Sequence, residues 1–591
     1  MSSEKEYYPE NRFSGGSISG QSLRSLSGRE RSRWPPLTRM LMSGEMSDEP
    51  PRDLTVRERF DRWMVNEGYR RLFVAVFMLV HVMIFVFGVL NYALKDNLSQ
   101  ARIEFRTGYI IARSAAMVLH FDVALILFPV CRTFISLLRE TPLNGIIQLD
   151  KNITFHKLVA WSIVLFTWIH TIAHFYNFGR FAAVNHLGFA GWLVANFVTG
   201  PGWTGWVMLI ALMAMVFTSV EKTRRANYER FWYTHHFFII FFVMWSIHGA
   251  FCVIRPDFAP FCNTVGVFWL WWMYGGFLYL AERIAREVRG RHQTYVSKVV
   301  QHPSNVCEIQ IKKENTKTKA GQYIFLCCPE VSVWQYHPFT LTSAPEEDYI
   351  SVHVRCVGNF TRSLARALGC DFESKDGAVV SAAKDEDSVD PSLRRVLPRV
   401  YIDGPFGSAS EDVFKFEIAV LVGAGIGVTP FASILKSIWY RLNYPQSKTR
   451  LRKVYFFWIC RDFGSLEWFR SLLMAIEAQD LEHRIEIHTV CLPFLPLCSN
   501  LITSKINIAD ATNIMINDAN AEQDAITGLR APTNFGRPNW DMIFKCIRKI
   551  HTPAEAGVFF CGPKGLGSQL HIKCNMYSDP GFSYVWGKEN F

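Results

Sequence analysis

This chain of 591 residues lacks several motifs whose absence excludes particular functions. Its 14 cysteines form no Cys-x-x-Cys pair and show no zinc-like spacing, so we expect most of them to be reduced cytosolic thiols. The N-terminal arm contains no Asp-x-Asp-x-Asp-Gly pattern, which argues against direct calcium gating. No apolar stretch carries arginines at every third position, which excludes a voltage-gated proton channel.

Residues 1 to about 55 also lack the apolar core of about 7–15 residues that a secretory signal requires. The segment is instead rich in Ser, Gly, Arg and Pro. Such a composition cannot bury enough apolar surface to fold alone. We therefore expect residues 1–55 to be a disordered arm.

Apolar residues are concentrated before about residue 290, although they make up 49% of the whole chain against 19% for charged residues. An apolar run of about 20 residues can cross a bilayer as a helix. Six runs qualify, and the second is weaker because it carries Arg113, His120 and Asp122. We predict a multi-domain membrane protein whose residues 56–290 form a six-helix, all-α transmembrane domain. The runs lie near 72–94, 108–130, 157–177, 203–220, 235–254 and 264–282.

The formal net charge of +11 is explained by the orientation of these helices rather than by nucleic-acid binding. With the N-terminus in the cytosol, basic residues are more frequent in the cytosolic loops than in the opposite loops. We therefore expect both termini to be cytosolic, and lipid rather than nucleic acid to be a partner. The cytosolic set is Arg132, Arg139, Lys151, Lys222, Arg224, Arg225, Arg230, Arg283, Arg286, Arg289 and Arg291, and the opposite set is Lys95, Arg102, Arg106, Arg180 and Arg255.

Two stretches in this half each carry a pair of histidines about four helical turns apart. His156 and His170 are 14 residues apart, and His235 and His248 are 13 apart. At about 1.5 Å per residue each pair spans roughly 20 Å of the ~30 Å hydrocarbon layer. Histidines inside lipid are rare and usually mark function. We predict that the two helices hold two haems, one near each face; the alternative is a set of hydrogen-bonded core histidines.

Rotation about the helix axis leaves one ligand undecided. At about 100° per residue, a step of 14 residues returns within about 40° of the same face, but a step of 13 misses that face by about 140°. A step of 12, from His236 to His248, misses it by about 120°. Spacing therefore does not choose between His235 and His236. It predicts that this helix is locally distorted or that its ligands reach round it.

Two further polar residues lie in these apolar runs. Arg113 is costly in lipid unless it is paired, and haem propionates are one candidate partner. The alternative is an arginine whose side chain extends to the interface. His174 follows His170 by one helical turn, either as a polar group near the outer haem or as an interfacial residue.

After Gly290 the pattern changes to short β-rich runs separated by turn residues, which predicts a small antiparallel β-barrel over residues 291–412. Within it a proline fixes the backbone of a segment that presents aromatic and hydroxyl groups together. This suits a ring-shaped ligand with a polar edge and a pyrophosphate tail, whose phosphates need positive charge and backbone N–H groups. The predicted binding residues are His337, Pro338, Phe339, Thr340, Thr342, Ser343, Arg355 and Thr361.

Residues 413–591 alternate strand and helix patterns, which predicts an α/β domain. A buried strand leads into a glycine turn and a helix, the arrangement in which a pyrophosphate lies on helix N–H groups. Two other motifs end strands, and two arginines are candidates for a ribose 2′-phosphate, which would select NADPH; the alternative for each arginine is a surface salt bridge. The predicted residues are Gly423, Gly425, Gly427, Thr429, Pro430, Cys460, Arg461, Arg537, Cys561, Gly562 and Pro563.

These motifs together resemble the catalytic subunit of superoxide-generating NADPH oxidases of the phagocyte type, most like those of filamentous fungi, in the ferric reductase superfamily. The resemblance covers roughly residues 60–591. Its most specific segments are 149–157, 337–348, the Gly423 turn and the terminal Lys588-Glu589-Asn590-Phe591.

The resemblance implies a chain that passes electrons from NADPH through FAD and two b-type haems to molecular oxygen on the opposite side of the membrane, producing superoxide. It implies FAD in a ferredoxin-reductase-like β-barrel and NADPH in the α/β domain. It assigns catalytic roles to Arg113 and His174, beside the outer haem, and to Phe591, which is expected to stack on the flavin. The implied haem ligands are His156 with His235 (inner) and His170 with His248 (outer).

The resemblance also implies partners: a cytosolic activator, a Rac-type small GTPase and a small membrane subunit, in a plasma membrane or endomembrane. The nearest rival function is a ferric-chelate reductase, which uses the same cofactors. A non-catalytic haem scaffold is disfavoured by the two nucleotide motifs.

The chain departs from the family pattern after Thr489. Residues 490–501 form an apolar segment whose two prolines, Pro493 and Pro496, cannot continue a buried strand. Retained non-coding sequence in the gene and a genuine insertion at the edge of the nucleotide domain both explain this segment.

We predict a disulfide between Cys252 and Cys262, which flank a short loop on the non-cytosolic side, where thiols oxidise. Non-reducing peptide mapping of protein isolated from membranes should recover one cross-linked peptide that contains both residues. Recovery of both as free thiols would refute the pairing.

Overall fold

The computed structural model describes residues 35–43, 54–145, 147, 149–251, 256–258, 266–291, 294–313, 316–370, 372, 397–443, 449–460, 464–480, 482–491, 524 and 527–589. The chain divides into two compact units. We call Glu67–Gly290 the membrane unit, and Met1–Asn66 together with Arg291–Phe591 the soluble unit. The predicted sites at Cys252, Cys262, Arg461 and Phe591 lie outside the described residues.

Two helices, α1 (Pro36–Ser43) and α2 (Val56–Trp63), precede the membrane unit. The membrane unit itself is built from helices. They are α3 (Tyr69–Leu94), α4 (Ser99–Leu125), α5 (Arg132–Arg139), α6 (Asn152–Val184), α7 (Gly188–Phe197), α8 (Gly200–Ser219), α9 (Glu221–Ala226), α10 (Tyr228–His235), α11 (Phe238–His248) and α12 (Trp269–Arg291).

Among the described residues, four helical segments are long and apolar enough to cross a membrane: Val56–Leu94, Asp96–Val130, Leu149–Val184 and Gly200–Ser219. These correspond to the first four of the six predicted runs. The fifth run begins at His235, the last residue of α10, and its described residues include the short helix α11. Residues 269–282 of the sixth run lie in α12, whose C-terminal half is charged. The chain is thus an integral membrane protein with four such helices in its described part.

The helices of this unit turn large apolar side chains outward, where lipid replaces water as the solvent. On α3, Met83 is 61% exposed and Phe87 is 59% exposed. A second apolar set, which includes Leu119 and Trp245, packs between the helices. Because the hydrocarbon layer offers no hydrogen bonds, continuous helices satisfy the backbone internally.

A buried polar contact explains how the weak second run still forms a long helix. Asp122 on α4 is fully buried, and one of its oxygens lies 2.8 Å from Nε2 of His81 on α3. Its other oxygen accepts a 2.6 Å hydrogen bond from Ser162 on α6. A carboxylate inside a membrane domain is tolerated only when it is paired in this way. Asp122 therefore links three helices.

The soluble unit begins with antiparallel strands. These are β1 (Thr294–His302), β2 (Val306–Lys313), β3 (Tyr323–Cys327), β4 (His337–Thr340), β5 (Ile350–Arg355) and, after helix α13 (Asn359–Ala367), β6 (Tyr401–Phe406). They form two three-stranded sheets in the orders β1-β2-β5 and β4-β3-β6. Alternate side chains of both sheets, such as Ile309 and Leu326, share one core. The structure shows two separate three-stranded sheets and does not show the closed barrel that the sequence predicted.

The remaining elements form an α/β domain, as the sequence predicted. They are β7 (Ile418–Ala424), α14 (Thr429–Asn443), β8 (Lys453–Cys460), α15 (Gly464–Gln479), β9 (Ile485–Cys491), β10 (Asn534–Phe535), α16 (Trp540–His551), β11 (Ala554–Cys561), α17 (Lys564–Tyr577) and β12 (Phe582–Lys588).

The sheet of this domain has the order β10-β9-β8-β7-β11-β12 with parallel pairing throughout. Because separate cores cover its two faces, its central strands are apolar without alternation. The chain leaves β7 toward β8 on one side and later returns to β11 on the other. The gap between β7 and β11 is therefore the topological switch point, where such sheets bind ligands.

Part of the N-terminal arm is ordered, so the prediction of disorder over residues 1–55 is wrong for Pro36–Ser43. This segment forms α1, whose Leu37 is fully buried among apolar residues of the α/β domain. Pro36 is favourable at the start of the helix, because a backbone N–H at this position would have no partner within the helix and proline lacks that group. The Thr38 amide and hydroxyl donate to a carboxylate oxygen of Glu486 at 2.7 and 2.9 Å. Sequence composition did not reveal this distant carboxylate.

The charge of Glu486 maintains the contact at neutral pH. Burial by itself would raise the pKa of this carboxyl, but the adjacent His488, Lys453 and the Thr38 amide together lower it from 4.5 to about 2. A folded-state pKa below the ordinary value means that the contact stabilises the fold above about pH 4.5. The stabilisation is lost as the pH falls through about 2.

Replacing Thr38 by valine should loosen α1, because the substitution keeps the side-chain shape but removes one hydrogen bond to a buried carboxylate. We expect the free energy of local opening to fall by about 1–2 kcal/mol, which corresponds to roughly 5- to 30-fold faster amide exchange. Hydrogen exchange of peptides that cover residues 36–43 measures this. The control Thr55→Val removes the cap of α2 and should leave α1 unchanged; equal exchange in wild type and Thr38→Val would contradict the assignment.

Candidate functional site

The inner pair of predicted histidines face each other. His156 lies in the first part of α6, and His235 is the last residue of α10. Their ring centres are 6.2 Å apart. The helix ends at His235 and resumes at Phe238, so of the two predicted alternatives the local distortion is the one observed. This break removes the rotational mismatch of the 13-residue spacing.

The outer pair is arranged in the same way, about four turns further along α6. His170 lies in α6, and His248 is the last residue of α11. Their ring centres are 6.4 Å apart. His236 lies outside both pairs: its ring packs against Trp232 and Phe238, with ring centres 4.5 and 6.0 Å away. The structure therefore brings together the four histidines in the pairing that the family resemblance implied.

Hydrogen bonds fix which ring nitrogen of the α6 histidines carries the proton. Nδ1 of His156 lies 2.9 Å from the carbonyl oxygen of Ile126, and Nδ1 of His170 lies 2.9 Å from that of Ala112. A carbonyl oxygen only accepts hydrogen bonds, so both Nδ1 atoms must donate. The lone pair is then on Nε2 in each ring.

Hydroxyl groups hold the other two histidines. Thr204 donates to the carbonyl of Gly200 and can therefore accept from Nδ1 of His248, at 2.8 Å. Ser219 donates to the carbonyl of Met215 and lies 3.4 Å from Nδ1 of His235. Oriented acceptors of this kind are typical partners of metal-binding histidines.

The separation of the rings matches a metal ion held between them. An imidazole nitrogen bonds a transition metal at about 2.0–2.1 Å and lies about 1.1 Å from its ring centre, so two imidazoles on opposite sides of one ion have ring centres about 6.3 Å apart. The observed separations are 6.2 and 6.4 Å. Both pairs thus fit axial ligation of a haem iron.

A cavity of about 410 Å³ surrounds the outer pair, within the size range of ligand sites. Arg113 and His174 both line it, as the resemblance implied. The rings of His170 and His174 are 4.5 Å apart. Arg113 thus lies in the cavity wall beside the histidines.

Two cavity residues were not identified as site residues from the sequence. Asn177 is 2% exposed, and neither polar atom of its amide has a hydrogen-bond partner among the described residues. His120 lines the same cavity, and its ring stacks on Trp271. Its Nδ1 also has no hydrogen-bond partner among the described residues. Buried polar groups are normally bonded, so these atoms suit a polar ligand. Asn177 follows His170 by seven residues, two helical turns, and that spacing was the available signal.

In the soluble unit, the predicted flavin segment lies beside the predicted phosphate turn. The ring of His337 on β4 stacks on Phe360 of α13, with ring centres 3.8 Å apart. Burial lowers the pKa of His337 to about 4, so the ring is neutral near pH 7. Phe360 follows Gly358, the residue that precedes α13. The two segments assigned to one ligand are therefore adjacent.

The same segment is bonded directly to the glycine-turn helix α14. Thr340 donates from Oγ1 to Oγ1 of Thr429 at 2.6 Å. One turn later along α14, Oγ of Ser433 donates to the carbonyl oxygen of Ser343 at 2.7 Å. These bonds connect the two predicted nucleotide sites within the soluble unit.

Two predicted side chains have partners within the protein. Thr342 and Ser343 are 1% and 2% exposed. Oγ1 of Thr342 lies 2.8 Å from Oγ of Ser351, and Oγ of Ser343 accepts from the Ser351 amide at 3.0 Å. These side chains therefore fix the shape of the segment. Pro338 and Phe339 lie in β4 beside His337, and Phe339 packs at the edge of the core that the two antiparallel sheets share.

The other predicted phosphate contacts are closer to the surface. Arg355 is exposed at the end of β5. Thr361 lies in the first turn of α13, where its hydroxyl oxygen accepts from the Gly358 amide at 3.0 Å. Arg355 can thus offer its charge to an anionic ligand.

The glycine turn requires glycine for two different reasons. Gly425 adopts φ of +57°, in the left-handed region that side chains rarely occupy. A Cβ atom on Gly427 would lie 2.4 Å from the carbonyl oxygen of Cys561. Gly427 therefore lets the turn approach the end of β11. This contact lies at the switch point, and α14 begins at Thr429, one residue before the predicted Pro430.

The remaining predicted residues lie around the same edge of the sheet. Cys561 ends β11 opposite Gly423 of β7, and Cys460 ends β8. Gly562 and Pro563 follow, with Pro563 preceding the first residue of α17. Arg537 is exposed.

Family comparisons agree with this arrangement. The family described as "Ferric reductase like transmembrane component" matches residues 122–245. "FAD-binding domain" matches residues 292–410, and "Ferric reductase NAD binding domain" matches residues 416–575. The three follow one another along the chain in the order of the predicted domains.

Individual proteins match over nearly the whole chain. A superoxide-generating NADPH oxidase heavy chain of Dictyostelium discoideum is 39% identical over 91% of this chain and 100% of its own length. NADPH oxidase 1 of Mus musculus is 36% identical over 90% of this chain and 95% of its own length. NADPH oxidase 3 of Homo sapiens is 36% identical, with coverages of 90% and 99%. With identity at this level along almost the full length of each relative, the chain belongs to the NADPH oxidase family.

Proposed function

We propose that this protein is a transmembrane NADPH oxidase. It carries electrons from NADPH by way of FAD and two b-type haems to molecular oxygen on the opposite side of the membrane, and it produces superoxide. Membership of the family supports the reaction. The observation that carries the electron path is the presence of two facing histidine pairs, with ring centres 6.2 and 6.4 Å apart.

The chain's own residues provide the positions of the haems. His156 with His235 holds the inner haem, and His170 with His248 holds the outer one. The step of 14 residues from His156 to His170 on α6 separates the two sites by about 21 Å along the helix. That distance places one site toward each side of a ~30 Å hydrocarbon layer.

The bound groups supply the redox chemistry: FAD accepts two electrons together as hydride and releases them singly, and haem iron accepts one electron at a time. With two imidazoles held at each site, a bound haem iron would have no free position for oxygen. We therefore place oxygen reduction in the cavity beside His170 and His248. There Arg113 supplies positive charge next to an anionic product, and His174 lies within contact of the ligand ring.

The soluble unit binds the electron donor. We assign FAD to the segment that begins at His337, with the flavin against β4 and the phosphates near Arg355 and Thr361. We assign NADPH to the turn from Gly423 to Pro430 and to Cys561, Gly562 and Pro563 at the switch point. Arg461 and Arg537 are assigned to the 2′-phosphate, and Phe591 to the face of the flavin. The Thr340–Thr429 hydrogen bond supports the juxtaposition of the two sites.

The finer organisation is also part of the proposal. We assign residues 56–290 to a six-helix haem domain, 291–412 to a closed FAD-binding barrel and 413–591 to the NADPH domain. Both termini are cytosolic, in a plasma membrane or endomembrane. The partners we infer are lipid, a cytosolic activator, a Rac-type GTPase and a small membrane subunit.

Replacing one ligand of the inner pair should remove one of two haems. His235→Ala should give about one haem per chain in a pyridine haemochrome assay, against two for wild type. The matched control is the neighbouring His236→Ala, which removes an imidazole bonded to the Trp232 carbonyl and should retain both haems. Two haems in His235→Ala, or a loss in His236→Ala alone, would show that the pairing is wrong.

The reaction is tested with purified protein in lipid vesicles supplied with NADPH and FAD. We expect NADPH-dependent dye reduction that superoxide dismutase abolishes, and loss of that signal in His170→Ala because the outer site is emptied. Ferric chelate reduction is measured in parallel. A dismutase-insensitive signal with faster reduction of ferric chelate than of oxygen would identify a ferric reductase instead.

A further inference from the structure

A cluster of two histidines and one glutamate lies in the sheet β1-β2-β5, next to the segment assigned to FAD but made of residues that are assigned to none of the cofactors. Glu308 is on the central strand β2, directly opposite His353 on β5. On the other side, Glu308 pairs with Val300 of β1, and His302 is two residues further along the same strand. Residues two apart on a strand point to the same face. The register therefore places all three side chains on one face of the sheet.

The potential ligand atoms of this cluster are already close together. Nε2 of His302 lies 3.2 Å from Oε2 of Glu308, and Nε2 of His353 lies 3.7 Å from the same oxygen. The ligand atoms of all three residues lie within 4.8 Å of one another. Tetrahedral ligands at about 2.0–2.1 Å from a zinc ion are about 3.4 Å apart. Two of the three separations are therefore near the required value without metal.

Neighbouring side chains hold the ligands in orientation. Nδ1 of His353 lies 2.9 Å from Oγ1 of Thr342, which also bonds to Ser351. The second oxygen of Glu308 accepts from Gln310 at 2.9 Å. Metal-binding imidazoles and carboxylates typically have such outer partners, which fix the ring and select the nitrogen that faces the metal.

We propose that His302, Glu308 and His353 bind one zinc ion, with a fourth position open to water. Two imidazoles and one carboxylate are a recurrent zinc ligand set. The side chains retain 18%, 14% and 8% exposure, so an ion has a route from the solvent. One of its ligands, His353, is hydrogen-bonded to Thr342 in the segment assigned to FAD. The alternative is a hydrogen-bonded pair of imidazoles around a carboxylate that binds no metal.

Zinc binding is tested on the full-length protein by equilibrium dialysis against a series of zinc buffers, with metal counted by mass spectrometry. We expect wild type to bind one zinc ion. The variants Glu308→Gln and His302→Asn should bind zinc at least about 100-fold more weakly, because each removes a ligand and even the loss of an outer partner lowers metal affinity by about 10–100-fold. Matched controls are Glu330→Gln and His483→Asn, exposed residues of the same unit outside the cluster. The controls should bind as wild type does.

Haem and flavin content, measured on every variant, distinguishes loss of the site from loss of the fold, and the two cluster variants are independent of each other. X-ray absorption at the zinc edge should show only nitrogen and oxygen ligands near about 2.0 Å. A sulfur shell near about 2.3 Å would assign the zinc to cysteines. That result, no zinc bound by wild type, or equal binding by the cluster variants would overturn the proposal.

Discussion

Each of the four paired histidines has its Nδ1 beside an oxygen atom of a neighbouring helix, and the geometry of the membrane unit depends on these contacts. The carbonyls of Ala112 and Ile126, both near α4, serve the two histidines of α6. They are 14 residues apart, the same spacing as His156 and His170. An imidazole in a hydrocarbon environment that lacked such an acceptor would leave a buried donor unsatisfied. The helix α4 therefore sets the orientation of both α6 ligands at once.

The other two histidines, His235 and His248, depend on hydroxyl groups of α8 in the same way. Thr204 and Ser219 are 15 residues apart on one helix and contact His248 and His235. Their partners could not share a face of one straight helix, because 13 residues bring the chain to nearly the opposite side. The interruption between α10 and α11 resolves this conflict. A discontinuity that is unfavourable for a membrane span is thus what allows His235 and His248 each to face a histidine of α6.

The soluble unit depends on a different contact, between the segment that begins at His337 and the glycine turn. The turn leads into α14, and the first residue of that helix accepts a hydrogen bond from the strand that carries His337. Gly427 fits against Cys561 only because it has no side chain. The two predicted nucleotide segments are therefore joined by α14, which begins at the topological switch point of the sheet. His353 of the proposed zinc site lies next to the same segment, through its hydrogen bond to Thr342.

The sequence by itself determined the features that depend on local periodicity and composition. These include the first four apolar runs, the glycine turn before α14, the α/β pattern and the histidine spacing on α6. It did not choose between His235 and His236, because that choice depends on where the helix breaks. It also missed α1, Asn177 and the cluster around Glu308, whose partners lie far away in the sequence. Which nitrogen or oxygen atoms face one another depends on helix rotation and strand register, and only the packing of distant elements decides these.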